Sequence, residues 1–538
     1  MGIPTIVPAS ALPADPSSKE CKLIINWDQQ NMWALQLTYA HRGKTPDPVK
    51  VKAMLEAVVD EHAKAKIDRI VHCVFALPRG TVSPGFRSFH KEPTNRHKYY
   101  HDTETGIQQL ADSGEDHIQV LLRRSHERGL EFLGGFRMND RHTSSAGGPF
   151  ARRHPEWELE GFPGAMDYEH EGVRRAVLDF TRELLERYDL DGIELDWMRH
   201  CHVFKPSTAV ANAPILNSFL AELRSIIDQA GRKRGRRLIL GARVPQTVEE
   251  CRLLGFDINN WVRENLVDYF CPSDFFHTDF NIRMEDFTAI TDGTRCKLYP
   301  SIHPWIARGN DFHVQSEASY RAAANNYYAF GADGISVYNY QYHWRTDIAP
   351  ETEWPRVMSW LTGLRSAEAV RNGPRHYLFH PIWPSGAPTG GRNYDLIELS
   401  TPTPSGSLRF RVAERFWSDP WPATLEFKVT GLDAPDEIEI ALNGAIGGHH
   451  ETILKMDAPD AIEIALNGHV VSASLIQREF ARTGQSPRQG RNLPAFYRYR
   501  ISVEEPLARF GDNDLRVRLL NSAGNADLTV QELELVVR

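Results

Sequence analysis

Eight short apolar runs punctuate the first two thirds of the chain, and between them the apolar residues change to a spacing of three or four positions. The runs are KLIINWD from Lys22, RIVHCVFAL from Arg69, LEFLGGFRMND from Leu130, DGIELDWMR from Asp191, LILGARVPQ from Leu238, LVDYFCPSD from Leu266, KLYPSIHP from Lys297 and DGISVYNY from Asp333. Apolar runs this short, bounded by turn residues, read as strands buried on both faces. The intervening pattern is helical: Val51, Leu55, Val58 and His62; Val173, Val177, Phe180, Leu184 and Tyr188; Ile215, Phe219, Leu223 and Ile226. SEASYRAAANNYYAFG ends on Gly331, where a helix C-cap is expected. With PRVMSWLTGLRSAEAVR from Pro355 as the last helix, the alternation predicts an α/β fold, a (β/α)8 TIM barrel.

After Arg371 the texture changes to strands punctuated by Pro and Gly, among them LRFRVAE, ATLEFKVTG, FYRYRISVE, NDLRVRLLN and LTVQELELVV. This predicts an all-β sandwich, jelly-roll-like, following the barrel. The expected organisation is an N-terminal extension over 1–20, the barrel over 21–372 and the sandwich over 373–538. One repeat interrupts the pattern: DAPDEIEIALNG from Asp433 returns as DAPDAIEIALNG from Asp457. Each copy is a strand running into an Asn-Gly turn, a hairpin signal. Two near-identical copies are too few for a solenoid, so one is expected to be an extra ribbon or loop.

Composition narrows the function classes. A chain of 538 residues is long enough for a barrel plus a second domain, and its net charge of -8 gives no electrostatic reason to expect nucleic acid. No apolar run reaches the length of a membrane span, so no membrane partner is expected. The six cysteines are scattered without a C-x-x-C pair, which predicts reduced packing residues. MGIPTIVPASALPADPSSKE lacks a basic segment followed by an apolar one. The chain as written is therefore expected to be cytoplasmic, or secreted or periplasmic if a leader was removed.

Candidate chemistry is read from the strand ends, because the C-terminal face of such a barrel carries the active site. Strand one ends at Asp28; three at Arg137, Asn139, Asp140 and His142; four at Glu194, Asp196 and Arg199; five at Arg243; six at Asp274; seven at His303; eight at Tyr338 and Asn339, with Trp344 beyond. Strand alternation sends Glu194 and Asp196 into the barrel, Glu194 deeper, while Ile193, Leu195 and Trp197 face the helices. Arg137 and Arg243 on neighbouring strands can neutralise one of these acids. Two opposed carboxylates at a barrel mouth suit acetal hydrolysis, one ionised and one protonating the leaving oxygen. Asp196 with Asp274 is the expected pair, with Asp140 and Glu194 as the reserve carboxyls. Trp27, Trp33, Trp197, Trp305, Tyr340, Tyr342 and Trp344 are candidate platforms for sugar faces.

Through FRMNDRH, HPEW, YDLDGIELDWMRH and GADGISVYNY, the chain resembles a group of largely uncharacterised bacterial glycosyl-hydrolase-like proteins with a (β/α)8 barrel and a C-terminal β-sandwich. The resemblance implies a glycosidase fold and names no substrate. DGIELDWM is also similar to the strand-four signature of chitinases, but the position of the chitinase general acid falls on Met198, which cannot transfer a proton. α-Galactosidases carry a nucleophilic Asp at the end of strand four and an acid/base Asp at strand six, the strand positions of Asp196 and Asp274. Strand seven ends in SIHP, without the nucleophilic Glu that a large clan of retaining enzymes carries there.

The expected function is glycoside hydrolysis of an oligo- or polysaccharide. Asp196 acts as nucleophile or base and Asp274 as acid, and Glu194 tunes charge with Arg137 and Arg243. Asp28, Asn139, Asp140, His142, Arg199, His303, Tyr338, Asn339 and Trp344 complete the substrate site. No cofactor and no metal is expected, since paired strand-one histidines and H-E-x-x-H are absent from the sequence. The expected partner is a carbohydrate; a homo-oligomer stays open. Two competing readings are a non-catalytic carbohydrate-binding barrel and a metal-dependent hydrolase built on the histidines.

Overall fold

The computed structural model describes residues 20–27, 47–78, 106–141, 149–275, 277–308, 311–344, 356–380, 396–400, 402–416, 421–431, 462–467, 469–481, 496–503, 507–519 and 527–538. Eight parallel strands occupy the eight apolar runs. They are β1 (Leu23–Trp27), β2 (Arg69–Ala76), β3 (Glu131–Arg137), β4 (Gly192–Asp196), β5 (Ile239–Pro245), β6 (Tyr269–Ser273), a seventh strand broken into β7 (Lys297–Leu298) and β8 (Ser301–Ile302), and, after a hairpin of β9 (Trp305–Arg308) and β10 (Asp311–Val314), β11 (Ile335–Tyr338).

The sheet runs β7-β6-β5-β4-β3-β2-β1-β11-β8. Its two ends are the two halves of the seventh strand, so the sheet closes on itself. Leu298 pairs with Phe270 on one side, and Ile302 pairs with Val337 on the other. The change of partner falls at Tyr299 and Pro300. Tyr299 N donates to Phe270 O at 2.8 Å, whereas Pro300, which has no N–H to offer, accepts from Ser336 N at 3.1 Å.

Helices flank the strands with their apolar stripes buried. α1 (Pro48–Lys64) opens on the Asp47 cap and buries Val51, Leu55, Val58 and His62. α2 (His117–Glu127) opens on the Asp116 cap. α3 (Glu171–Arg187) buries Val173, Val177, Phe180 and Leu184, and α4 (Ala209–Arg234) buries Phe219, Leu223 and Ile226 before Gly235 ends it at φ 68°. Each such side chain contributes about 1.5–3 kcal/mol on leaving water. Gly331 lies just past the helix Glu317–Ala329 with φ 112°, as its C-cap position predicts. No helix among the described residues is long and apolar enough to cross a membrane.

Four aspartates repeat around the bottom of the barrel. Asp68 Oδ2 accepts from Leu23 N at 3.1 Å, Asp191 Oδ2 from Phe132 N at 2.8 Å, Asp268 Oδ2 from Leu240 N at 2.8 Å and Asp333 Oδ2 from Leu298 N at 3.0 Å. Each stands just before an even-numbered barrel strand and satisfies an N–H in the first two residues of the odd-numbered strand preceding it. A buried strand end left without an acceptor would cost about 1–3 kcal/mol. Each carboxylate also meets a basic side chain: Arg365 at 2.7 Å, His126 at 2.9 Å, Arg237 at 2.9 Å and Lys297 at 3.0 Å, respectively. Burial works to raise the Asp268 carboxyl, but Arg224, Arg237 and Arg295 outweigh it and hold the group below its ordinary value.

The described residues form two compact units. The barrel strands belong to the first; the second takes in the described residues of Trp305–Asn326 and those from Arg371 onward. Its strands are β12 (Arg375–Phe379), β13 (Leu396–Leu399), β14 (Ser405–Val412), β15 (Ala423–Thr430), β16 (Ile462–Leu466), β17 (His469–Val470), β18 (Ile476–Ala481), β19 (Phe496–Val503), β20 (Gly511–Leu519) and β21 (Leu528–Val537). They make two antiparallel sheets, β12-β21-β15-β19-β18 with β13 also on β21, and β14-β20-β16-β17. The second copy of the repeat supplies β16, and Asn467 takes φ 51° where Leu466 pairs with His469, the backbone a type I′ hairpin requires. The first copy lies outside the described residues. All six cysteines are free, five of them buried.

Asp191→Ala is expected to destabilise the chain by about 1–3 kcal/mol, measured as a lower urea midpoint at unchanged slope. The exposed Asp179→Ala should stay within about 0.5 kcal/mol of wild type. Equal midpoints for the two variants would contradict the capping role.

Candidate active site

Register brings the candidate charges together before any loop is considered. Asp196, the last residue of β4, lies beside Arg137 on β3 and Arg243 on β5. One step down the barrel, Glu194 lies beside Gly135 and Gly241. The acids therefore occupy two interior layers, the upper flanked by arginines and the lower by glycines.

In the lower layer Glu194 is buried and accepts hydrogen bonds from Asn26 Nδ2 at 2.5 Å and Tyr269 Oη at 2.6 Å, with a weaker one from Cys271 Sγ at 3.8 Å. Gly241 is what lets Tyr269 reach it. A Cβ built at Gly241 would stand 2.0 Å from the Tyr269 ring, so any side chain there displaces the phenol. Burial pushes the Glu194 carboxyl up to about 7; the Tyr269 and Asn26 bonds and Arg243 oppose the shift, and the nearby Asp196 charge adds to it.

In the upper layer Arg243 is the hub. Its Nη1 donates to Asp196 Oδ1 at 2.8 Å, its Nε to Ser273 Oγ at 3.0 Å, and its Nη2 to the backbone carbonyls of Asp274 at 2.7 Å and Phe275 at 3.2 Å. The guanidinium stacks 3.9 Å above the Tyr338 ring, whose hydroxyl donates to Asp196 Oδ2 at 3.2 Å. Met198 N completes the shell of Asp196 at 3.0 Å. His303 Nε2 lies 3.0 Å from Ser273 Oγ and 3.4 Å from Arg243 Nη2. Burial, followed by the charge of Arg243, holds His303 well below its ordinary value, so its ring is neutral.

Asp274 follows β6, and its Oδ1 accepts from His277 N at 3.0 Å. Arg243 thus spans the two candidate carboxylate residues, touching the side chain of one and the backbone of the other. Arg137 pairs with Asp140 at 2.7 Å. Arg199 is buried, with its guanidinium 4.9 Å over the half-buried Phe275 ring. Asn139 commits its amide to the backbone, donating to Met166 O and His202 O and accepting from Met166 N at 2.9 Å. It straps the β3 crossover to the loop after β4. Asn339, at φ 55°, accepts from Gln341 Nε2 at 3.1 Å. Asp28 and His142 lie outside the described residues, as does the side chain of Trp344.

Several aromatic residues expected as sugar platforms are core instead. Trp27 packs edge-on against His62 and His72, and Trp197 sits among Tyr168, Phe256 and Trp261. Trp305, in the second unit, and Tyr340 are equally buried. The apolar strand pattern continued through these positions, and in each case the ring completes packing. Sequence reading missed Asn26, Tyr269, Ser273 and Phe275. Strand alternation from Asp28 could have found Asn26, and Ser273 and Phe275 flank Asp274 in the chain, whereas Tyr269 stands five residues from Asp274 and no spacing marked it.

No family model matches this chain, and no curated protein matches it in sequence. Solved structures of similar fold include the galactosidase domain of the α-galactosidase-sucrose kinase AgaSK, at 11% identity and TM-score 0.37, covering 95% of this chain and 56% of that one. The maltogenic α-amylase AmyB from Thermotoga neapolitana is 11% identical at TM-score 0.37, covering 93% of this chain and 99% of that one. The α-L-fucosidase isoenzyme 2 from Paenibacillus thiaminolyticus is 11% identical at TM-score 0.40, covering 66% of this chain and 51% of that one. At these identities and TM-scores the likeness assigns this chain no activity, no substrate and no residue role.

The pH dependence of stability reads out the lower layer. Because the folded Glu194 carboxyl titrates near 7 rather than its ordinary 4.5, its contribution is full below about 4.5 and is lost as pH rises through about 7. Glu194→Gln should therefore gain stability relative to wild type across that window in urea titrations at stepped pH. A pH-independent difference would contradict the assignment.

Proposed function

We propose that this protein is a glycoside hydrolase working through Asp196 and Asp274 at the C-terminal face of the barrel. The observation that carries the reading is the shared guanidinium: Arg243 holds the Asp196 carboxylate through Nη1 and the Asp274 backbone through Nη2. A carboxylate fixed by a cation and a tyrosine hydroxyl is suited to attack an anomeric carbon or to activate water. Asp274, anchored through one oxygen to the His277 amide, protonates the departing glycosidic oxygen. Glu194 takes no direct part and sets the field beneath Asp196, through a protonation state that changes near neutral pH.

Arg199 and the half-buried Phe275 ring beside Asp274 supply a charged edge and an apolar face for a sugar, alongside His303, Tyr338 and Asp140. No cofactor enters this mechanism. Retention or inversion follows from the carboxylate separation in the substrate complex and is read from the anomer of the first product.

One observation favours a second reading. Both Asp196 oxygens already accept hydrogen bonds, which also suits a structural acid in a carbohydrate-binding barrel without activity. Wild type and Asp196→Asn assayed against a broad panel of oligo- and polysaccharides separate the two. Under the hydrolase reading wild type releases reducing sugar and the variant loses about three decades of rate. Cleavage by the variant at the wild-type rate would remove Asp196 from the chemistry. Glycan binding without cleavage by either protein would establish the second reading.

A further inference from the structure

We propose that the second unit holds one divalent transition-metal ion between β12 and β21, bound by the imidazole of His380 and the carboxylates of Glu532 and Glu534. One ligand atom from each of these residues lies within 4.8 Å of the other two, and all three residues are buried. Around an ion with tetrahedral bonds of about 2.0–2.2 Å the ligand atoms stand about 3.3–3.6 Å apart, so a pair separated by the full 4.8 Å would close by about 1.2–1.5 Å on binding. This site shares no residue with the chemistry proposed for the barrel and does not depend on it.

The cluster is more than a group of acids. His380 Nε2 lies 3.0 Å from Glu534 Oε1, and His376 Nε2 lies 2.8 Å from Glu534 Oε2. Glu534 is thus bracketed by two imidazoles, of which His376 is 24% exposed. Glu532 is 7% exposed, and its Oε2 accepts no hydrogen bond among the described residues. The Lys428 ammonium approaches that oxygen to 2.5 Å as an ion-pair contact, without the direction a hydrogen bond requires. Glu532 also has φ 52°, where the pairing of β15 with β21 slips between Glu426 and Lys428. A bulge of this kind re-aims a side chain.

Two carboxylates buried side by side carry a desolvation cost, met here by the Lys428 ammonium at Glu532 and by the His376 and His380 imidazoles at Glu534. A divalent cation between the two carboxylates would offset both at once. An imidazole among the donors selects against calcium and magnesium, which take oxygen ligands, and favours zinc or manganese. Lys428 is then a competing cation: the metal displaces it from Glu532, so its charge weakens the site.

The test is titration of the chelator-stripped full chain with Zn²⁺ and Mn²⁺, beside Ca²⁺ and Mg²⁺, by calorimetry and thermal unfolding. Wild type should take up a single equivalent of a transition ion with a rise in melting temperature. Affinity should fall tenfold or more in Glu534→Gln and His380→Ala and should rise in Lys428→Met. No uptake by wild type, a preference for Ca²⁺, or uptake unchanged in folded Glu534→Gln would overturn the proposal. If the ligand variants fail to fold, Lys428→Met decides: unchanged affinity there overturns it as well.

Discussion

Arg243 imposes the constraint on which the mouth of the barrel depends. An arginine that is 1% exposed is tolerated only if its donors are met and its charge is balanced, because the desolvation cost of a buried ion is several kcal/mol. Asp196 balances the charge and takes one N–H, while Ser273 and the carbonyls of Asp274 and Phe275 take three more of the five donors. Tyr338 lies flat under the guanidinium. Satisfying one side chain therefore fixes the ends of four strands, β4, β5, β6 and β11, and with them the turn that carries Asp274. Lysine could balance the charge at that position but could not span the same acceptors, since it lacks the planar fork.

Below that layer the barrel manages a second buried charge differently. Glu194 has no cation of its own; it has donors, Asn26 and Tyr269, and a carboxyl that takes a proton near neutral pH. The void opposite is created by Gly241 and filled by Tyr269. At the base, the aspartates before the even-numbered strands tie each odd-numbered strand to its successor. The three acids of one sequence stretch, Asp191, Glu194 and Asp196, thus serve three layers: strand capping, a neutralisable interior carboxyl and an arginine-bound carboxylate at the mouth.

Much of the fold was legible because strand and helix periods differ and the chain alternates between them without ambiguity. Asp196 facing Arg137 and Arg243 followed from period-two alternation plus parallel register. What the pattern could not carry were contacts that depend on the third dimension. Tyr269 on β6 reaches Glu194 on β4 over the strand between them because the intervening residue, Gly241 on β5, is glycine, a relation no linear spacing encodes. Asn139 reads as a polar strand-end residue, yet backbone groups of two separate loops use its amide. The indole and phenol rings at strand ends read equally well as platforms or packing. Only neighbours such as His62, His72 and Trp261 distinguish the two.

The central claim is that one guanidinium organises both carboxylate residues for cleavage. Its most direct test is the single-turnover rate of Arg243→Lys beside wild type, on whichever glycan wild type cleaves fastest, with circular dichroism confirming an intact fold. The account predicts a loss of about a hundredfold or more, because lysine keeps the charge and loses the fork that spans Asp196 and Asp274. A folded Arg243→Lys protein that turns over at the wild-type rate would contradict it.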